Sequence, residues 1–245
     1  LLFQGKLKSL TGNNVLAETL QLNGSSGIEV FQDSLTLNPP SGQSVIVDPG
    51  SASFNSDLAY GGAGDLIVKG SLNLQDGQTV KTFGDFFHTG SGVVRFQNAL
   101  FAQRVESIGG GTLWMDQLSN SPVVSGPLLS TIFLDNGSVL RRDADETVTG
   151  ASLELGSGGG AIDVGSGFSL IWDSAISGTG SFTKQGDGSL RFPASADISY
   201  TGETFVKAGR LDVFSSSPAS VSCSDGGTSN LCVNSDADSD SDSDS

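Results

Sequence analysis

Short apolar alternations, each ended within a few residues by Asn, Gly, Pro or Asp, recur along most of the chain. Alternation with a period of two residues predicts half-buried β-strands, and the glycine and polar residues between them predict tight turns. No window of 12 or more residues has the i, i+3, i+4 apolar spacing of an amphipathic helix. The sequence therefore predicts an all-β fold, with strands at 20–22, 28–30, 35–37, 45–47, 66–68, 72–74, 93–96, 113–115, 132–134, 153–155, 168–172 and 211–213.

A Gly-x-Gly-x-apolar frame recurs within this region, at 62–66, 90–94, 109–113 and 178–182. Imperfect internal repetition is typical of solenoids, in which each coil stacks on the previous one and buries a continuous apolar column. Coils of about 20 to 25 residues would place roughly nine or ten coils before Phe214. At about 4.8 Å per stacked strand, the column would be about 45 Å long.

An antiparallel sandwich is the alternative architecture. The dipeptides Asn23-Gly24, Asp76-Gly77, Asn136-Gly137 and Asp187-Gly188 are hairpin turn signals as well as suitable solenoid corners. Because the two kinds of turn share the same residues, these dipeptides do not decide between the folds. The internal repetition favours the solenoid.

The charge balance narrows the range of partners. The chain has 12 Lys and Arg against 27 Asp and Glu, a formal net charge of −15. A surface of this sign repels the phosphates of nucleic acids and anionic lipid headgroups. The sequence also contains no apolar run of the roughly 20 residues that a membrane helix needs, and no secretory signal pattern at its start. We expect neither a nucleic-acid partner nor membrane insertion by this segment.

The composition changes after Phe214, so we predict a β-solenoid over 1–214 and a polar, low-complexity tail over 215–245. Cys223 and Cys232 are expected to form one small disulfide loop in an oxidising environment, the competing interpretation being two free thiols. The tail carries the candidate ligands of a weak, nonspecific Ca²⁺ interaction, Asp236, Asp238, Asp240, Asp242 and Asp244. No other cofactor or metal is expected.

The stretch 176–214 reads ISGTGSFTKQGDGSLRFPASADISYTGETFVKAGRLDVF. It resembles the passenger-associated transport repeat of bacterial autotransporters. That repeat runs as a Gly-rich turn, an apolar-x-Lys-x-Gly-x-Gly-x-Leu segment, a tolerant loop, Tyr-Thr-Gly-x-Thr, and a strand ending Gly-x-Leu-x-Val. The matching positions are Gly178, Gly180, Phe182, Lys184, Gly186, Gly188, Leu190, Tyr200, Thr201, Gly202, Thr204, Val206, Gly209, Leu211 and Val213.

This resemblance implies a right-handed, single-stranded parallel β-helix in a secreted or cell-surface passenger. In the family the repeat is thought to help the passenger fold from its C-terminal end. A translocator barrel normally follows, and this sequence has no counterpart of one. We therefore expect a fragment, a processed passenger, or a repeat protein that uses the solenoid without this export route. The expected function is structural or adhesive, with a host-surface protein, a glycan or copies of itself as partner.

Residues that could carry catalysis are few, and we expect no enzyme. His88 is the only histidine, which excludes a two-histidine metal site, and we expect it at a corner or on the surface. The segment 61–65 nearly matches a calcium-binding nonapeptide and is better explained as a corner. A charged cluster, Arg141, Arg142, Asp143, Asp145 and Glu146, could serve a polysaccharide-acting β-helix enzyme, although a solvated loop explains it. Alternative functions are this enzyme class and a self-assembling filament or surface-layer subunit.

Overall fold

The computed structural model describes residues 2–48, 57–74, 84–118, 129–214 and 230–233, and within them all regular structure is β-strand. In chain order the strands are β1 (Leu2–Ser9), β2 (Asn14–Leu16), β3 (Gln21–Val30), β4 (Ser34–Leu37), β5 (Ser44–Asp48), β6 (Leu58–Gly61), β7 (Asp65–Val68), β8 (Ser71–Asn73), β9 (Phe86–His88), β10 (Val93–Phe96), β11 (Leu100–Phe101), β12 (Arg104–Ser107), β13 (Thr112–Met115), β14 (Thr131–Leu134), β15 (Ser138–Arg142), β16 (Glu146–Val148), β17 (Ser152–Leu155), β18 (Gly160–Val164), β19 (Ser169–Trp172), β20 (Ile176–Gly178), β21 (Phe182–Gln185), β22 (Ser189–Phe192), β23 (Thr204–Val206), β24 (Arg210–Val213) and β25 (Asn230–Val233). The predicted strands all lie on strands of the structure: those at 20–22 and 28–30 are joined in the single strand β3, and the others agree to within a residue or two.

The strands stack into three faces, and the chain visits the faces in turn. Face A contains the second halves of β1 and β3, followed by β6, β9, β12, β14, β17 and β20. Face B runs from β2 through β4, β7, β10, β13, β15, β18 and β21 to β23. Face C contains the first halves of β1 and β3 with β5, β8 and β11, and then the series β16, β19, β22, β24 and β25. Each level of the stack is one coil.

Every strand pairing among the described residues is parallel, as in β10 with β13 and β15 with β18. Hairpins join antiparallel strands, so this pairing excludes the sandwich. The predicted all-β parallel β-helix is confirmed. Asn23 and Gly24 lie inside β3, next to the register shift at which this strand passes from face C to face A, and Asn136 and Gly137 form a corner, with φ of 54° and 72°.

The core is the column enclosed by the three faces. On face B, strand alternation directs every second side chain inward, and the parallel register places these side chains directly above one another. The inward column of face B is Leu35, Leu66, Val94, Leu113, Leu140, Ile162, Lys184 and Val206, all buried. Each coil contributes a few such side chains, so the stack has one continuous core.

The corner between face A and face B explains the Gly-x-Gly frame. A Cβ on Gly90 would overlap the carbonyl oxygen of Gly62, and one on Gly92 would overlap that of Gly64. In the next coil a Cβ on Gly111 would lie 2.5 Å from the Gly92 oxygen. The backbones of successive coils thus approach too closely at this corner for any side chain, and the frame repeats wherever they do.

Coils differ in length. Along face B the distance in sequence between paired residues ranges from 19, between Val94 and Leu113, to 31, between Leu35 and Leu66. The longer spacings occur where more residues separate consecutive described strands, as between β5 and β6, between β8 and β9, and between β13 and β14. The prediction of 20 to 25 residues per coil was therefore too narrow.

Of the predicted tail, only 230–233 belong to the described residues. They form β25, which pairs with β24 through Leu211 and Leu231. Cys223 and the tail aspartates, Asp236, Asp238, Asp240, Asp242 and Asp244, lie outside the described residues.

Candidate functional site

The segment 176–214, whose motif resembles the transport repeat, spans successive coils from β20 to β24. Its apolar members fill the column: Phe182, Leu190 and Leu211 are fully buried, Val206 is buried, and Val213 packs against the core at its edge. These positions explain why the motif needs large apolar residues at this spacing.

The motif glycines lie where coils touch. A Cβ on Gly180 would overlap the carbonyl oxygen of Gly156, and one on Gly202 would overlap that of Gly180. Gly178 has φ of +118°, in a region that only glycine adopts without strain. The remaining motif glycines, Gly186, Gly188 and Gly209, also leave no room for a side chain.

Lys184 is the unexpected member of the core. Its side chain starts from the inward column of face B, between Ile162 and Val206, and is fully buried. Nζ donates hydrogen bonds to the carbonyl oxygens of Gln185 (2.7 Å), Gly186 (2.6 Å) and Ala208 (3.2 Å). Burial lowers the pKa of this amine to about 8, against the opposing influence of nearby carboxylates. The lysine therefore joins two coils at the corner between face B and face C.

The other polar members of the motif also bond to the protein itself. The Tyr200 hydroxyl and Thr204 Oγ1 form a hydrogen bond, and the Tyr200 ring packs 5.9 Å from that of Phe182. The backbone N–H of Thr201 donates to the Gly178 carbonyl at 3.0 Å. The motif is accordingly a set of contacts between coils, and none of its buried polar groups faces outward.

His88 is not at a corner or on the surface, so that prediction was wrong. It is fully buried in β9, where its ring lies 5.2 Å from the ring of Tyr60 and Nδ1 lies 3.0 Å from Ser107 Oγ. Burial lowers the pKa of His88 to about 4, although a hydrogen bond with the Gly92 backbone opposes the shift. A serine and a histidine do meet, but both are enclosed, so the pair cannot act on a substrate.

The charged cluster at 141–146 is only in part a solvated loop, because the side chains of two of its members, Arg142 and Glu146, are buried. Arg142 and Glu146 form an ion pair of 2.7 Å whose side chains are only 5% and 8% exposed. Arg142 Nη1 also donates to the Met115 carbonyl at 2.6 Å, and Glu146 Oε1 accepts from the Leu118 N–H at 3.2 Å. The same corner that uses Lys184 in a later coil is here held by a buried ion pair.

The remaining members of this cluster also have structural partners. Arg141 pairs with Asp143 at 3.2 Å, and Asp145 accepts a hydrogen bond from the Ser169 N–H at 2.7 Å. The cluster is thus divided between the core and the surface. It does not form a single reactive centre.

Sequence reasoning missed a ladder on the outward side of face B. Arg95, Trp114 and Arg141 lie in register on three successive coils. The guanidinium carbons lie 3.9 Å and 4.6 Å from the indole centroid, one from each neighbouring coil. Arg95 and Trp114 each stand three positions after the second glycine of a Gly-x-Gly frame. Aligning the frames would therefore have brought these two of the three residues together.

A second outward row lies on face A. Phe87, Glu106, Phe133 and Glu154 stand in register on β9, β12, β14 and β17, all half-buried. Arg104 crosses the row, 2.7 Å from Glu106, 3.0 Å from Glu154 and 5.1 Å from the Phe133 centroid.

Carboxylates extend this row on its N-terminal side. Burial raises the pKa of Asp85, and the charges of Asp57 and Glu106 raise it further. Face A therefore presents aromatic rings and a local excess of negative charge on one flat surface.

The described residues contain no group of three or more His, Cys, Asp or Glu placed to hold a metal ion. The near-nonapeptide 61–65 is a corner, as expected: Asp65 Oδ1 accepts the Val93 N–H at 2.9 Å. Cys232 lies opposite Asp212 in β25, and its side chain is outside what the structure describes. Across the same described ranges, the structure has no helix of the length and apolarity needed to span a membrane.

No protein-family model matches this chain, and neither the curated proteins nor the solved structures include one that matches it.

Proposed function

We propose that this chain is the rod-shaped part of a secreted or cell-surface protein, resembling an autotransporter passenger, and that it acts by binding rather than by catalysis. One observation supports this most strongly. The buried polar groups that could have formed a reactive centre, Lys184, His88 and the Arg142–Glu146 pair, are enclosed and bonded to neighbouring coils. Groups held in this way stabilise the stack and do not reach a substrate.

The outward row of face A is the surface that we assign to the partner. Half-exposed aromatic rings beside charged groups supply much of the binding energy in protein interfaces, and aromatic faces also stack on apolar faces of other molecules. Phe87 and Phe133 offer such rings, with Glu106 and Glu154 as hydrogen-bond acceptors. A host-surface protein or a glycan fits this combination.

The test compares the wild-type chain with the double variant Phe87→Ser/Phe133→Ser on a glycan array and on cell surfaces. Ile171→Ser, an outward and half-buried position of face C, is the matched control. We expect the double variant to bind about tenfold or more weakly, since each anchor contributes about 1 kcal/mol or more, and the control to bind as the wild type does. Binding that survives the double variant rejects face A, and turnover of a polysaccharide above background rejects the non-enzymatic proposal.

End-to-end assembly is a second candidate, supported by exposed apolar residues in the first described coil. Leu10 is 64% and Val15 is 60% exposed, beside strands whose backbone edges can pair with another chain. Sedimentation and negative-stain microscopy over a concentration series test this candidate. Filaments would make assembly the main function, and isolated rods at all concentrations would eliminate it.

A further inference from the structure

The core column behind face A contains a single imidazole, the one ring in it that can take up a positive charge. The inward residues at this register position are Ile28, Tyr60, His88, Ser107 and Leu134, one from each successive coil. His88 contacts both neighbours in this series, through the Tyr60 ring and the Ser107 hydroxyl. The imidazole therefore forms part of the contact between three coils.

Little around the ring compensates a positive charge, since among the described residues the hydrogen bond with the Gly92 backbone is the one contact that favours protonation. Facing it from β6 is Tyr60, whose hydroxyl donates to the Gly64 carbonyl, and whose pKa burial raises, so the phenol stays neutral. From β12 it meets the neutral Ser107. Among the described residues, no carboxylate forms a hydrogen bond with His88.

The charged groups nearby stand on the other side of the backbone. They are Asp85, Arg104 and Glu106, on the outward side of face A, and Asp65, at the corner with face B. The corner itself is closed, because a Cβ on Gly111 would overlap His88 Cε1. Protonation would thus place an unpaired charge in a tightly packed, apolar site, which is strongly unfavourable.

In a solenoid each coil contacts only its neighbours, so a charge at one level weakens one junction rather than the whole molecule. We propose that the junction formed by Tyr60, His88 and Ser107 is an acid-sensitive release point, where uptake of a proton by His88 separates the preceding coils from the following ones. The coils after the junction stay stacked. The release point uses inward residues of β9 and β12, whereas the binding surface proposed for face A uses Phe87 and Glu106 on the outward side of the same two strands.

The effect of pH on opening at this junction follows from the difference in proton binding between the folded and open forms. The pKa of His88 is about 4 in the folded chain and 6.5 in an open one, so between these values the open form binds more protons and gains population as the pH falls. From pH 7.5 to pH 4.5 the opening equilibrium should rise on the order of fifty-fold. Asp85 has the opposite sign, because its raised pKa favours the folded form in acid.

Hydrogen exchange with mass spectrometry tests the proposal on the full chain at both pH values, after correction for the intrinsic pH dependence of exchange. His88 is the only histidine, so His88→Gln removes every imidazole titration. In the wild type, peptides covering 58–68 and 86–96 should lose protection on the order of fifty-fold at pH 4.5, whereas 152–192 should change little. His88→Gln should retain most of its protection in all of them.

Equal losses of protection in the wild type and in His88→Gln, or a uniform loss of protection along the wild-type chain, would overturn the proposal. If His88→Gln fails to fold, NMR of the ¹³C-labelled imidazole tests the proposal on the wild-type chain alone. The ring of the folded wild type should stay neutral down to about pH 5. Titration at the ordinary value near 6.5 would also refute the release point.

Discussion

Gly180→Ala tests whether the glycines of the repeat are required by contact between coils. The added Cβ would overlap the Gly156 carbonyl oxygen and lie 2.8 Å from the Gly159 Cα, and neither backbone atom can move by a rotamer change. The coils must separate locally to admit the methyl group. Separation lengthens two hydrogen bonds beside the corner, from Thr179 N–H to the Leu155 carbonyl (3.1 Å) and from Gly160 N–H to the Ser181 carbonyl (3.0 Å).

The expected loss of stability is the sum of three contributions. Loss of two backbone hydrogen bonds costs about 2 kcal/mol, and overpacking of a filled site costs about 1 to 3 kcal/mol. The lower entropy of the unfolded alanine chain offsets about 0.5 to 1 kcal/mol. We therefore expect Gly180→Ala to lower the free energy of unfolding by about 3 kcal/mol.

Gly61→Ala is the matched control, since its Cβ would meet only Thr89 Oγ1, a side-chain atom 3.3 Å away that needs to shift by only a few tenths of an ångström, and its φ is not positive. We expect its free energy of unfolding to stay within about 1 kcal/mol of the wild type. The assay is urea unfolding followed by circular dichroism and by fluorescence of Trp172, which is buried in the same coil as Gly180. Similar stabilities for the two variants would refute the explanation of the motif glycines as contacts between coils.

Three further predictions concern buried and stacked side chains. The pKa of Lys184 in the folded chain lies below the unfolded value of 10.5, so the unfolded chain binds the proton more tightly. The free energy of unfolding should therefore rise by about 1.5 kcal/mol from pH 8 to 9.5. Lys184→Met should abolish that rise in thermal unfolding. Arg142→Met should lower the free energy of unfolding by about 3 to 5 kcal/mol, because it leaves the buried Glu146 carboxylate without the guanidinium. In a double-mutant cycle, Arg142→Met/Glu146→Met should recover most of this loss. Trp114→Leu should cost about 1 to 2 kcal/mol in chemical denaturation, through loss of two cation–π contacts.

The strands and the corner glycines could be predicted because both depend on local rules: apolar alternation, and the need of a close backbone approach for glycine. Extended by two residues beyond Phe86, Leu140 and Phe182, the same alternation would have placed His88, Arg142 and Lys184 inward. Their polarity argued against burial, and only the structure shows the partners on neighbouring coils that satisfy them. A buried polar group is acceptable where such a partner exists, and the sequence alone does not identify it.

The outward ladders could not be predicted in full, because most of their members come together only through the register of the coils. Arg95 and Trp114 are 19 residues apart, whereas Trp114 and Arg141 are 27 apart, so no fixed period connects them. The row from Phe87 to Glu154 has the same irregularity. A candidate binding surface of this kind becomes visible only once each coil has been placed on the previous one.

The uneven coil lengths have a consequence for how such a chain can change. Because the added residues enter at one edge, between β5 and β6, between β8 and β9 and between β13 and β14, they leave the hydrogen-bonded levels on either side in register. That edge is where insertions can accumulate, in evolution or by design, without disturbing the rod. A peptide grafted between Asp48 and Leu58 would be carried at a fixed height along the axis, set by the number of coils below it.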